Sequence, residues 1–116
     1  MSKVTIYHNP RCSKSRETLA LLESHGVSPE VVLYLDDTPD EKTLTHLIKM
    51  LSITPRELIR TGESEYKEQG LSDKGLSDAA LVKAMVKTPK LIQRPIVVRD
   101  KKAVLGRPPE NVLELL

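Results

Sequence analysis

The one cysteine of this chain, Cys12, sits in His8-Asn9-Pro10-Arg11-Cys12-Ser13-Lys14-Ser15-Arg16. The apolar run Val4-Thr5-Ile6-Tyr7 leads into that stretch and a helix-like pattern follows it. This order predicts a strand-to-helix loop, with the thiol at a helix N-terminus among basic side chains. The positive end of a helix dipole and nearby cations both favour thiolate over thiol. A free cysteine with a pKa near 8.5 is only about 3% ionised at pH 7, so surroundings that lower the pKa make a nucleophile of it. The competing reading is a small buried apolar residue. The polar loop before Cys12 and the basic residues after it argue against an apolar core.

A cysteine so placed has backbone N–H groups aimed at any oxyanion that approaches it. Ser15 and Arg16 fall in the first helical turn, so a hydroxyl and a guanidinium can face the same space. A thiolate attacking an oxyanion meets charge repulsion, and the site needs further cations. Arginine supplies a permanent charge and a planar fork of donors. Three arginines stand at element ends: Arg60 before Thr61-Gly62, Arg94 before Pro95-Ile96-Val97-Val98, and Arg107 in Gly106-Arg107-Pro108-Pro109. Element ends are where functional groups of layered folds gather. Each arginine could equally be a solvated surface residue, and spacing alone does not bring them to Cys12. His8 could orient or polarise the thiol, or be a hydrogen-bonded loop histidine. His25 and His46 lie in helical patterns and read as surface residues. No Cys/His cluster has metal-ligand spacing, and no phosphate-binding glycine motif occurs. The pair Asp36-Asp37 reads as loop and helix cap.

These residues must be held by a small aliphatic scaffold. The chain has 116 residues, 39% of them apolar, with no Trp or Phe, so Leu, Ile and Val must build the core. A net charge of +2, without a polybasic block or aromatic platform, gives no support for a nucleic-acid surface. The apolar runs are too short for a bilayer span and the N-terminus lacks a signal-peptide pattern. A reducing, cytoplasmic setting agrees with a single unpaired cysteine.

Val4–Tyr7 reads as a strand, residues 13–25 as a helix stopped by Gly26, and residues 31–35 as a β-branched second strand. Asp37 or Thr38 is expected to cap a helix starting near Pro39, in which Leu44, Leu47, Ile48 and Leu51 recur at helical spacing. Thr54-Pro55 starts a short helix that delivers Arg60. Residues 63–69 form a connector or short helix, and 78–86 a helix capped by Ser77. Residues 95–98 and 103–105 form a hairpin, and 109–115 a closing amphipathic helix. This order of βαβ, helices, then ββα predicts an α/β thioredoxin-like fold. It comprises a four-stranded mixed sheet, flanking helices and a helical insertion over about 39–90, all in one domain, 1–116. Thioredoxin-like domains place a cis proline beside the active cysteine at the start of the third strand, so Pro95 is expected to be cis.

The residues also resemble those of the glutaredoxin-coupled arsenate reductase family. The resemblance runs through T-I-Y-H-N-P-x-C-x-x-S-R, V-L-Y-L, L-I-R, R-P-I-V-V and G-R-P-P-E, in order and over essentially the whole chain. It implies that Cys12 is the nucleophile, that Arg60, Arg94 and Arg107 bind the oxyanion, and that His8 and Ser15 assist the thiolate. It further implies arsenate reduction to arsenite, as in arsenic detoxification, with glutathione as co-substrate, glutaredoxin as partner and no bound cofactor or metal. A monomer is expected, with neither nucleic acid nor membrane as partner.

Characterised members carry Ala, Gly and Thr where this chain has Arg11, Ser13 and Lys14, and they continue beyond the position of Leu116. The loop N-P-R-C-S-K-S-R resembles that of a short subgroup. Its added cations could strengthen anion binding or select another anion. Two other functions therefore stand beside the first. One is a glutathione-linked thiol oxidoreductase acting on another oxidant. The other is a regulator resembling the Spx family, which binds RNA polymerase. Many of those regulators use a C-x-x-C switch, and here the fourth position is Ser15.

Overall fold

The structure, a computed structural model, describes residues 3–116. Its contacts divide the chain into two compact units. One is formed by the chain up to Asp37 together with Arg94–Leu116, the other by Thr38–Gln93.

The first unit holds a four-stranded sheet in the order β2-β1-β3-β4, built from β1 (Val4–His8), β2 (Glu30–Leu33), β3 (Ile96–Arg99) and β4 (Lys102–Leu105). β1 runs parallel to β2, with His8 opposite Leu33, and antiparallel to β3, with Tyr7 opposite Ile96. β3 and β4 form the expected hairpin, Ile96 opposite Leu105, with Asp100 in a left-handed conformation at its turn. Alternation in β1 buries Val4, Ile6 and His8 on one face. Helix α1 (Ser13–Ser24) brings Leu22 onto this face, where it meets Val4, Ile6, Val97, Val112 and Leu115 in a wholly aliphatic core. Gly26, at φ 77°, ends the helix, and the Val27 N–H returns to the Leu22 carbonyl at 3.1 Å.

Two local expectations change. β2 ends at Leu33 rather than Leu35, because the chain turns there: the N–H groups of Asp36 and Asp37 both reach the Leu33 carbonyl, at 3.0 and 2.8 Å. The closing segment Pro109–Leu115 is a 3-10 helix, with three-residue bonds such as Asn111 N–H to the Pro108 carbonyl at 3.1 Å.

The second unit contains α2 (Glu41–Leu51), α3 (Pro55–Leu58), α4 (Ser64–Glu68), α5 (Asp78–Lys87) and a 3-10 turn at Pro89–Leu91. α2, α3 and the 3-10 turn each contact α5, which buries Leu81, Val82 and Met85. The cap of α2 is Asp40, whose carboxylate accepts the Thr43 N–H at 2.7 Å. This corrects the expectation of Asp37 or Thr38: Asp37 is held in the turn after β2, and α2 begins only after Asp40. Ser77 caps α5 as anticipated, accepting the Ala80 N–H at 3.2 Å. Among the described residues no helix is long and apolar enough to cross a membrane, and no cluster of His, Cys, Asp and Glu could hold a metal ion.

Candidate active site

Cys12 is the N-cap residue of α1, extended at φ −96° and ψ 122°. The loop behind it is fixed through its own backbone. Cys12 N–H donates to the Asn9 carbonyl at 3.0 Å, and the Arg11 N–H donates to the Asn9 side-chain oxygen, also at 3.0 Å. The Cys12 carbonyl accepts the Arg16 N–H at 3.0 Å, the first bond of the helix. In this position a Ser or Asp would cap the helix; the thiol stands there instead, half-buried. Burial pushes the thiol pKa up, but the Ser15 N–H, the Arg94 guanidinium and the Lys14 N–H together outweigh it and hold the pKa below its ordinary value. The structure does not place this sulfur in the aliphatic core.

Ser15 is fully buried, and its hydroxyl sits between two partners. It lies 2.6 Å from His8 Nδ1 and accepts the Asn9 N–H at 3.0 Å. Burial first, and then the charge of Arg16, lower the His8 pKa and so favour the neutral imidazole. A neutral ring has one donor and one acceptor nitrogen, and Nδ1 is the one engaged by the Ser15 hydroxyl. His8 and Ser15 thus join β1, the loop and the first turn of α1.

On the other side of β1, β3 and β4 supply cations. Arg107 Nη1 lies 3.9 Å from Cys12 Sγ and 3.4 Å from the Arg94 carbonyl, to which it donates. Arg94 is half-buried immediately before β3, and the Arg94–Pro95 peptide bond is cis. The Arg107–Pro108 bond is cis as well, which the sequence reading did not anticipate at the doubled proline. Cys12, His8, Ser15, Arg94, Pro95 and Arg107 all belong to the first unit. The arrangement offers a sulfur poised toward thiolate by the Ser15 and Lys14 N–H groups at a helix N-terminus, with two guanidinium groups beside it, which suits attack by sulfur on a bound oxyanion.

Arg60 belongs to the second unit. An isolated antiparallel bridge, Ile59 to Ile92, aligns the chain there, and Arg60 N–H donates to the Leu91 carbonyl at 2.7 Å. Its Nε pairs with Glu63 at 3.5 Å, and Glu63 in turn faces Lys90 at 3.9 Å.

Two of the basic residues around the thiol have structural partners that the sequence did not reveal. Arg16 turns its Nη1 to the Pro10 carbonyl at 2.9 Å, bracing the loop, and Lys14 pairs with Glu17 at 3.4 Å. Thr18, fully buried, donates to the Lys14 carbonyl at 2.7 Å and lies 3.2 Å from the Gly106 carbonyl. The Gly106 N–H donates to the Pro95 carbonyl at 2.9 Å, and a Cβ on Gly106 would stand 2.5 Å from Thr18 Oγ1 and 2.7 Å from Pro95 Cγ. Only a glycine lets β4 approach the cis-proline turn and α1 this closely. The sequence signal for this contact was the glycine before Arg107.

Residues 7–115 match the ArsC family. The chain belongs to the ArsC family. Among its ArsC relatives, a protein named arsenate reductase in Haemophilus influenzae is 49% identical over 97% of this chain and 98% of the relative. The uncharacterised protein YfgD of Escherichia coli K12 is 58% identical over 98% of this chain and 97% of its own length. A solved structure, an arsenate reductase from Vibrio cholerae, has a TM-score of 0.96 and 52% identity, covering 99% of this chain and 98% of that one. The mixed sheet with flanking helices is thus the ArsC form of the thioredoxin-like fold, as the element order predicted.

Proposed function

We propose that this chain is an arsenate reductase that works through the Cys12 thiolate, with glutathione and glutaredoxin as external reductants. The observation that carries the reading is the sulfur itself: half-buried at the start of α1, held below its ordinary pKa, with Arg107 Nη1 3.9 Å away. Arg94 and Arg107 hold the arsenate oxygens and offset the repulsion between two anions. The same role is proposed for Arg60 on the family resemblance alone.

Cys12 Sγ attacks arsenic and one arsenate oxygen leaves as water, giving a Cys12–As(V) adduct with no change of oxidation state. Glutathione sulfur then displaces a second oxygen as water. A glutaredoxin thiolate attacks the glutathione sulfur, and the electron pair of the S–As bond stays on arsenic. Arsenic is thereby reduced to As(III), and glutaredoxin and glutathione are joined as a mixed disulfide. Hydrolysis of the Cys12–As(III) bond releases arsenite and restores the thiol. The neutral His8, tied to Ser15, is a candidate proton carrier at this loop. One cysteine in the whole sequence fits this scheme, because the reducing electrons must come from thiols outside the chain. Such coupling suits a monomer working in the reducing cytoplasm.

The test is arsenate-dependent NADPH consumption in the presence of glutathione, glutaredoxin and glutathione reductase. The native chain is expected to turn over and Cys12→Ser to be inactive. Absence of arsenate-dependent turnover in the native chain overturns the proposal. Turnover with a different oxidant in the same coupled assay would then favour the broader thiol oxidoreductase.

A further inference from the structure

Arg107 is exposed, yet its guanidinium reaches both Cys12 Sγ, at 3.9 Å, and the Arg94 carbonyl, at 3.4 Å. Ordering a long exposed side chain costs rotamer entropy, and the cost rises if the backbone below it also moves. The turn that carries Arg107 has two tethers. At Gly106 the tether is packing, together with the N–H bond to the Pro95 carbonyl at 2.9 Å. Beyond Gly106 the tether is a side chain. Asn111 Nδ2 donates to the Leu105 carbonyl and to the Arg107 carbonyl, both at 3.2 Å. The two N–H groups of one carboxamide thus bridge the last residue of β4 and Arg107 itself, from a half-buried position in the closing 3-10 helix.

We propose that Asn111 is a positioning residue for Arg107: its carboxamide, bonded to the carbonyls of Leu105 and Arg107, fixes the turn that presents the guanidinium to the Cys12 sulfur. Neither bond touches substrate, so Asn111 acts only through Arg107. An aspartate in its place has no donor for either carbonyl, and a leucine keeps the branched outline, with more bulk, but loses both bonds. The inference rests on the reading of Cys12 and Arg107 as one site, but its test needs no arsenate. Failure of arsenate turnover therefore leaves it standing.

The experiment is a double-mutant cycle read on the Cys12 thiol, by the pH dependence of iodoacetamide alkylation in the native chain, Arg107→Ala, Asn111→Leu and the double variant. Arg107→Ala is expected to raise the titration midpoint, on the order of half a pH unit for loss of one nearby partly exposed cation. Asn111→Leu is expected to move it the same way by a smaller amount, and to add nothing in the Arg107→Ala background. Asn111→Ala, which introduces no new bulk, is to be run beside it and replaces it if the leucine variant does not fold. Three results each overturn the proposal: a native midpoint in the folded Asn111 variant, a native midpoint in Arg107→Ala, or an Asn111 shift that persists undiminished when Arg107 is absent.

Discussion

At Cys12 three effects act on one sulfur. Burial is the largest and opposes ionisation, while the N–H groups of Ser15 and Lys14 and the Arg94 guanidinium favour it. The balance falls below the ordinary thiol value, so the thiolate persists to lower pH than in a free cysteine. Alkylation rate against pH is therefore expected to show a midpoint below that of a free cysteine. Arg94→Ala removes a contributor that stabilises only the charged form, so it should move the midpoint upward, by about one unit. A downward or absent shift would mean that Arg94 does not sense the sulfur. At this scale the sequence was informative about residue type and uninformative about pairing. Cys12 at a helix start could be read from its neighbours. That Arg16 is spent on the Pro10 carbonyl and Lys14 on Glu17 could not, because those choices depend on side-chain direction within the folded loop.

The elements that position these residues are set mostly by local chemistry. α3 is the clearest case. Thr54 Oγ1 accepts the Glu57 N–H at 3.3 Å while the Glu57 carboxylate accepts the Thr54 N–H at 2.9 Å, and Pro55 takes the first helical position. Four residues make a whole helix, so its cap is a large share of what holds it. Thr54→Ala is expected to cost about 1 kcal/mol in urea unfolding. An unchanged midpoint would show that the bridge from Ile59 to Ile92 alone fixes the segment leading to Arg60. The cap of α2 was harder to read, since Asp36, Asp37, Thr38 and Asp40 all have capping chemistry. Which of them serves depends on where β2 turns, and the Leu33 carbonyl draws in the N–H groups of Asp36 and Asp37. The last segment differed for a similar reason. Residues 109–115 have amphipathic spacing, but the bonds that form there are the tighter three-residue kind.

Across the molecule the buried side chains are mostly aliphatic, with Tyr34 the one aromatic among those described as buried and no Trp or Phe anywhere in the sequence. Leu22 is 0% exposed and meets both β1 and the closing 3-10 helix in the core of the first unit. Leu22→Ala is expected to destabilise by about 2–5 kcal/mol, measured as a lower urea midpoint with little change in slope. A loss under about 1 kcal/mol would mean that the neighbouring side chains close the space. The overall order of strands and helices was legible because each element carries its own period, cap or stop. From that order the parallel β1–β2 pair and the β3–β4 hairpin followed.

The sequence by itself determined the kind of chemistry: a single thiol at a strand-to-helix junction, because periodicity, capping and the helix dipole are properties of neighbouring residues. Only the tertiary structure decided which cations serve it. Arg107 is 95 residues from Cys12 along the chain. It arrives beside the sulfur because β1 pairs with β3, β3 with β4, and Gly106 leaves room for the turn to close on Pro95 and Thr18. Contacts of that range carry no local signature; they are fixed by strand pairing and by the space that packing leaves.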